Sequence, residues 1–161
     1  MDYLWSPWRY RYVTNAGPKD ECIFCKAAAG ADDPNYIVHR GRLNFVILNI
    51  YPYTSGHVMI APYAHVATLG EAGEDSLTEM IRLARTAERR LGAIYRPHGI
   101  NLGMNLGECA GAGVAGHIHM HVVPRWPADA NFMTVTGETR VLPEDLPTTY
   151  AKLRAAWNAA E

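Results

Sequence analysis

The 161 residues carry 15 Lys plus Arg against 16 Asp plus Glu, a formal net charge of -1, and 48% of them are apolar. That composition excludes a mostly disordered chain, and the length suits one domain that needs no disulfide framework. The charge balance argues against nucleic acid as a partner, and no run approaches the roughly 18 apolar residues of a membrane span.

Residues 1–20 are aromatic and basic, with Trp5, Trp8, Tyr10 and Tyr12, and read as an arm that packs on something. The opening MDYLWSPWRYRYV has charges inside its apolar stretch and no signal-peptide core, so the expected location is the cytoplasm. Cys22-Ile-Phe-Cys25 follows. In a reducing compartment such a pair is more often a metal clip or redox pair than a disulfide. Leu43–Ile50 is a β-branched and apolar run that predicts a buried strand. Tyr51–Gly56 predicts a turn, and His57–Ala61 a second strand ended by Pro62, together an antiparallel hairpin.

Leu77, Met80, Ile81, Ala84, Glu88, Leu91 and Tyr95 fall at helical spacing, predicting a helix from Ser76 to Tyr95. Ser76 and Glu79 have the capping-box spacing, and Pro97 lies just past the end. Ile100–Asn105 predicts a short strand, Gly107–Gly116 a small-residue loop, and His117–Val123 the last core strand, stopped by Pro124. The tail from Pro143 ends in a short helix near Tyr150–Trp157. The order implies an α+β domain with an antiparallel sheet.

The chemistry concentrates in His117-Ile118-His119-Met120-His121-Val122-Val123. Alternation puts the three imidazoles on one face of a strand and the apolar residues on the other. The outer two are separated by roughly 13 Å at about 3.3 Å per residue, while a metal–nitrogen bond is about 2.0–2.1 Å. At most two neighbours could share one ion, so at least one histidine has another task. A neutral imidazole is a good nucleophile near pH 7 and forms adducts with phosphorus. His119 is the best candidate. The preceding Ala110–Gly116 loop lets backbone N–H groups approach a phosphate. No GxxxxGK[ST] motif is present, which excludes a Walker-type site.

The run matches the HφHφHφφ signature of the histidine triad (HIT) superfamily, where φ is apolar. Four stretches, one of them containing this run, agree in order: NFVILNIYPYTSGHVMIAPYAHV, GINLGMNLG, AGAGVAGHIHMHVVPRW and DANFM. The chain resembles the fragile-histidine-triad and bacterial diadenosine tetraphosphate hydrolase-phosphorylase branch. The resemblance implies a single HIT domain over 1–161, with an arm at 1–20 and a tail at 143–161. It implies an antiparallel sheet, one long helix, a short C-terminal helix and a homodimer.

It also implies a reaction. The central histidine attacks the α-phosphorus of a dinucleoside polyphosphate to form a nucleotidyl-histidine, which water or another acceptor resolves. His119 matches that nucleophile, His121 the third triad histidine that helps hold the phosphate, and His57 an upstream histidine near the active site. Asn49 matches the ribose-binding position and Asn105 a phosphate-contacting one. The loop carrying Gly111, Gly113 and Val114 matches the phosphate cradle, and Ile37 with Leu43–Ile47 the base pocket. Many relatives carry a Ser or Thr hydroxyl where this chain has Val114. Zinc-binding members complete a structural site of the kind Cys22 and Cys25 begin, and here His65 and His117 fill it, implying one zinc per chain and no organic cofactor. The acceptor stays open between water and phosphate. Nucleoside phosphoramidate hydrolysis and a non-catalytic zinc-stabilised nucleotide sensor are the alternatives. His39, His98, Cys109 and Arg125 read as ordinary exposed residues, and Leu153 and Trp157 as packing for the tail. Trp5 and Trp8 are candidates for a dimer groove, a second base site or plain packing.

Overall fold

The computed structural model describes residues 21–129 and 142–159. The arm with Trp5 and Trp8, and the Asn131-Phe132-Met133 segment, lie outside them. Helix α1 is Ile23–Ala29. Strands β1 (Ile37–Arg40), β2 (Asn44–Leu48) and β3 (Val58–Pro62) precede the long helix α2 (Glu74–Tyr95), and β4 (Gly99–Met104), β5 (Met120–Arg125) and helix α3 (Leu146–Asn158) follow it. The strands form one antiparallel sheet in the order β1-β2-β3-β5-β4. Among the described residues no helix is long and apolar enough to cross a membrane.

The period-2 pattern of β2 divides the core. Val46 and Leu48 join Val38, Val58, Ile60 and Val122 beneath α2, while Phe45 and Ile47 join Ile37, Met59 and Ala61 on the opposite face, beneath Phe24 and Ala27 of α1. The α2 stripe is Met80, Leu83, Ala84, Ala87 and Leu91. It is rotated from the predicted one, for Ile81 is 59% exposed and Glu88 is exposed. Helix spacing fixes that an apolar stripe exists but leaves its centre free by about one residue, and close approach to the sheet favours the small Ala87 over Glu88.

The capping box does not form. Gly73 is the N-cap, and Glu74 and Asp75 supply negative charge to the first turn. Glu79 reaches to the β1–β2 turn instead. It accepts from the backbone N–H groups of Arg42 (2.8 Å) and Leu43 (2.7 Å) and from the Asn44 side chain (2.8 Å). Asn44 is fully buried, so these bonds and the one from Ser76 Oγ (3.2 Å) give it the partners burial requires. Arg96 ends α2 in the left-handed conformation, with Pro97 after it.

Two predicted boundaries move for backbone reasons. Pro124 lies inside β5, because β3 has already ended at the Val58–Val122 pair and asks no N–H of it. The tail helix starts at Leu146 because Asp145 caps the Thr148 N–H (2.8 Å) and Pro147 sits in the first turn. Leu153 is fully buried, with Trp157 packed beside it. His39 is not an exposed loop residue: it lies on β1, half-buried, stacked on Trp157 at 6.1 Å.

Candidate active site and metal centre

The face of the sheet opposite α2 collects the histidines. His121 pairs with Met59 across β3–β5 and shares its face. His117 and His119 lie just before β5, and Ile118 between them turns into the core under α2. The predicted alternation therefore holds, although only His121 of the three lies within the paired strand.

His57 enters from the β2–β3 turn. Gly56 shapes that turn at φ +80°, and a Cβ there would meet the Tyr95 ring at 2.9 Å. Thr54 Oγ1 ties the turn to the Pro124 carbonyl at 2.7 Å. The Tyr53 amide donates to His57 Nδ1 at 3.1 Å, so that nitrogen accepts and Nε2 carries the proton. His57 Nε2 lies 2.9 Å from His121 Nδ1. His121 accordingly accepts at Nδ1, and its own proton sits on Nε2, ready for an anion. The chain of partners sets these tautomers.

His119 is 4% exposed. Its Nδ1 is 2.9 Å from the His117 carbonyl, which can only accept, so the proton sits there and Nε2 holds the lone pair. Phe24 lies against its ring at 4.8 Å between centroids, and His121 meets it edge-on at 4.9 Å. Burial holds His119 below the ordinary imidazole pKa despite that carbonyl bond. Burial, then the neighbouring His119, push His121 down to about 4. Both rings are neutral at pH 7.

Asn49 and Asn105 flank this group. Asn49 Oδ1 accepts from the Tyr51 amide at 2.9 Å, and its Nδ2 lies 3.4 Å from His57 Nδ1. Asn105 Nδ2 donates to the Gly111 carbonyl at 3.3 Å, holding the glycine loop closed. Within that loop the amides of Ala110, Gly111 and Ala112 donate to carbonyls of Gly107 and Glu108. The Gly111 amide is thus engaged. Among the described residues no protein acceptor takes the amides of Gly113, Val114, Ala115 or Gly116. The Val114 side chain packs against the Phe24 cluster. Of the expected base pocket, Ile37, Phe45 and Ile47 lie on the histidine face, whereas Val46 faces away into the α2 core. Arg125 is held by Asp129 and Asn101. His98 and Cys109 are exposed.

The second group is Cys22, Cys25, His65 and His117, whose ligand atoms all lie within 4.8 Å of one another. Cys22 Sγ is 3.4 Å and Cys25 Sγ 3.6 Å from His117 Nδ1, and His65 Nδ1 is 3.3 Å from both Cys25 Sγ and His117 Nδ1. A tetrahedron with metal–sulfur bonds of about 2.3 Å and metal–nitrogen bonds of about 2.0–2.1 Å has edges of about 3.4–3.8 Å. The donor set therefore fits a tetrahedral ion. His117 Nε2 meets the Pro62 carbonyl at 2.9 Å, which places its proton there and turns the Nδ1 lone pair to the cluster. Burial and the adjacent Cys22 push the Cys25 thiol up. A cation is what would draw such a pair into the thiolate form.

The HIT domain family matches residues 31–128. The chain belongs to this family. It is 37% identical over 165 residues to the AP-4-A phosphorylase of Mycobacterium tuberculosis, covering 98% of this chain and 85% of that protein. It is 30% identical over 104 residues to the adenosine 5'-monophosphoramidase of Schizosaccharomyces pombe, covering 65% of this chain and 74% of that one. Among solved structures, the Zn-bound histidine triad family protein from Mycobacterium smegmatis superposes with a TM-score of 0.69 at 28% identity, over 84% of this chain and 92% of its own.

Within this HIT domain, three contributors had not been singled out from the sequence. Phe24 stands between the ligand cluster and His119, its ring 5.2 Å from that of His117. Tyr53 orients His57 through its amide, and its ring lies over His57 at 4.7 Å. Arg40 clasps the end of α1 through the carbonyls of Ala28 and Gly30, both at 2.8 Å. Only Phe24 had a visible signal, its place inside the CxxC.

Proposed function

We propose that this HIT protein is a nucleotidyltransferase that cleaves dinucleoside polyphosphates of the diadenosine tetraphosphate type through a nucleotidyl-histidine, and that inorganic phosphate is the acceptor. The observation that carries the reading is the neutral His119, with Nδ1–H on a carbonyl and Nε2 unprotonated beside the His57–His121 pair. Nε2 attacks the α-phosphorus. The N–P bond forms as the P–O bond to the leaving nucleotide breaks, and the leaving group departs as an anion. The ring keeps its Nδ1 proton, and the His117 carbonyl stabilises the imidazolium that results. His121 Nε2–H and the amides of residues 113–116, which no described protein acceptor takes, are the donors this reading assigns to the charge that grows on the phosphoryl oxygens. Asn49 offers both an acceptor and a donor to the ribose hydroxyls. The acceptor then attacks the adduct and frees His119.

The likeness to an AP-4-A phosphorylase over nearly the whole chain supports phosphate rather than water as acceptor. Product analysis tests it. Diadenosine tetraphosphate should give ADP plus ATP only when phosphate is present; AMP plus ATP regardless of phosphate would make the protein a hydrolase. The likeness to a monophosphoramidase favours a second reading, hydrolysis of nucleoside phosphoramidates by the same histidine.

Zinc is the metal proposed for Cys22, Cys25, His65 and His117, in keeping with the zinc of the Mycobacterium smegmatis relative. Four protein ligands leave no open position, so its part is structural, tying α1 to the run before β5. Elemental analysis should find about one zinc per chain. We further propose a single domain spanning 1–161, a cytoplasmic location, and a homodimer joined through β4 and α2. Arg154 and Tyr150 cover β1 at one sheet edge by bonding its carbonyls. At the other edge β4 is mostly exposed, with Leu102 at 52% beside a groove it shares with Arg85, Arg89 and Ile100.

A further inference from the structure

We propose that Phe24 is the positioning residue that fixes the His119 ring, and that the Cys22–Cys25 turn holds Phe24 where it acts. The inference rests on His119 being the nucleophile.

Among the described residues one hydrogen bond, from Nδ1 to the His117 carbonyl, anchors His119 and leaves the ring free to rock about that point. Two rings remove the freedom. His121 meets it edge-on at 4.9 Å, and Phe24 lies against it at 4.8 Å with 38° between planes. Phe24 is itself 1% exposed and packed among Ala27, Ile37, Phe45, Ile47 and Met59, so it has nowhere to swing. The same ring lies 5.2 Å from His117. A metal ligand and the nucleophile thus share one aromatic wall.

The wall stands on α1, and α1 does not stand by itself. It has seven residues and no side-chain cap at Cys22. A helix this short is marginal in isolation. Its C-terminal end is clasped by Arg40, which Asp32 orients at 2.7 Å. Its N-terminal end is held by the two cysteines against His65 and His117. An ion bound by the four ligands would fix the N-terminal end of α1 and with it the placement of Phe24 against His119; with the ligands apart, α1 would keep the Arg40 clasp and its apolar packing. Misplacing a reacting atom by about 1 Å lowers a rate by roughly a hundredfold.

The test uses Phe24→Leu, with Phe24→Met as a second variant closer in volume. Steady-state and single-turnover rates on diadenosine tetraphosphate should show kcat and adduct formation lower by roughly ten- to a hundredfold, with KM little changed. A rise in KM at unchanged kcat would make Phe24 a wall of the base pocket and overturn the proposal, as would wild-type values for both. Imidazole NMR gives a readout independent of turnover. Adding zinc alone to chelated wild-type protein should shift the His119 ring resonances, and in Phe24→Leu that shift should be largely lost. A His119 response preserved in the variant would route the coupling through the His117 main chain and defeat the role of Phe24. Wild-type protein that forms no nucleotidyl-histidine would defeat the nucleophile reading instead, and the zinc response would still decide whether Phe24 is the brace.

Discussion

The two faces of the sheet are built on different principles. Beneath α2, five helix residues and six strand residues interlock through apolar side chains, and no position there depends on a single partner atom. On the histidine face each polar ring depends on one or two specific atoms: His57 on the Tyr53 amide, His119 on the His117 carbonyl, His117 on the Pro62 carbonyl. The first face tolerates small errors because dispersion and burial are non-directional. The second does not, because a hydrogen bond sets tautomer as well as position. The α2 face is therefore packing alone, whereas the histidine face carries the chemistry on a smaller apolar cluster of its own, and substitutions beneath α2 should separate stability from activity.

The largest expected effect is on the histidine face. His119→Ala should lower turnover by on the order of 10⁴-fold or more, about 5.5 kcal/mol of barrier, while nucleotide affinity changes little. Steady-state kinetics alongside isothermal titration would separate the two quantities. Retained turnover would place the nucleophile elsewhere. The counterpart is Met80→Ala on the α2 face. Met80 is 1% exposed, and its truncation should lower the unfolding free energy by about 2–5 kcal/mol. Denaturant melts would give that number. Activity per folded molecule should stay near wild type, and a parallel loss would mean that the two faces are not separable.

What could be read beforehand follows the same division. The α2 face was legible because hydrophobic period is a local property: β2, β3, α2 and β4 are found within two residues of their expected ends. The triad and the Cys22–Cys25 pair were legible because their chemistry is carried by spacing. Less legible was anything settled by a partner distant in sequence. Glu79 looks like a helix cap until Arg42 and Leu43, about 36 residues earlier, present their amides. Gly111 looks like a phosphate donor until the loop folds its amide onto Glu108 at 2.8 Å. The short strand β1 and helix α1 carry too few residues for periodicity to register, and Arg40 is an unremarkable cation until its contacts with Ala28 and Gly30 are seen.

Gly56 links the faces. Its left-handed backbone and its closeness to Tyr95 and Leu91 belong to the α2 side, whereas His57 next to it belongs to the site. Gly56→Ala should therefore lower stability by about 1–3 kcal/mol and also reduce kcat, by shifting His57 relative to His121. Thermal melts and kinetics on the same preparation would show both. A variant destabilised yet fully active would mean that the turn yields without moving the imidazole.

The smallest effect is electrostatic, at the foot of α1. Asp32 sits between Arg40 (2.7 Å) and Arg154 (3.1 Å). The Arg40 hydrogen bond, outweighing desolvation and helped by the charges of both arginines, holds its carboxyl below the usual aspartate value. A depressed carboxylate contributes stability above its unfolded pKa of about 3.9, and that contribution is lost as pH falls through the folded value. Asp32→Asn should accordingly lower the melting temperature slightly at pH 7, and the gap to wild type should close in strong acid. Partial exposure on both sides of the pair keeps the effect within about 1 kcal/mol. Because Arg40 also clasps α1, the same variant should loosen the helix that carries Cys22 and Cys25, visible as weaker zinc retention against a chelator. A melting gap independent of pH would show that Asp32 acts by packing and hydrogen bonding alone, with no electrostatic share.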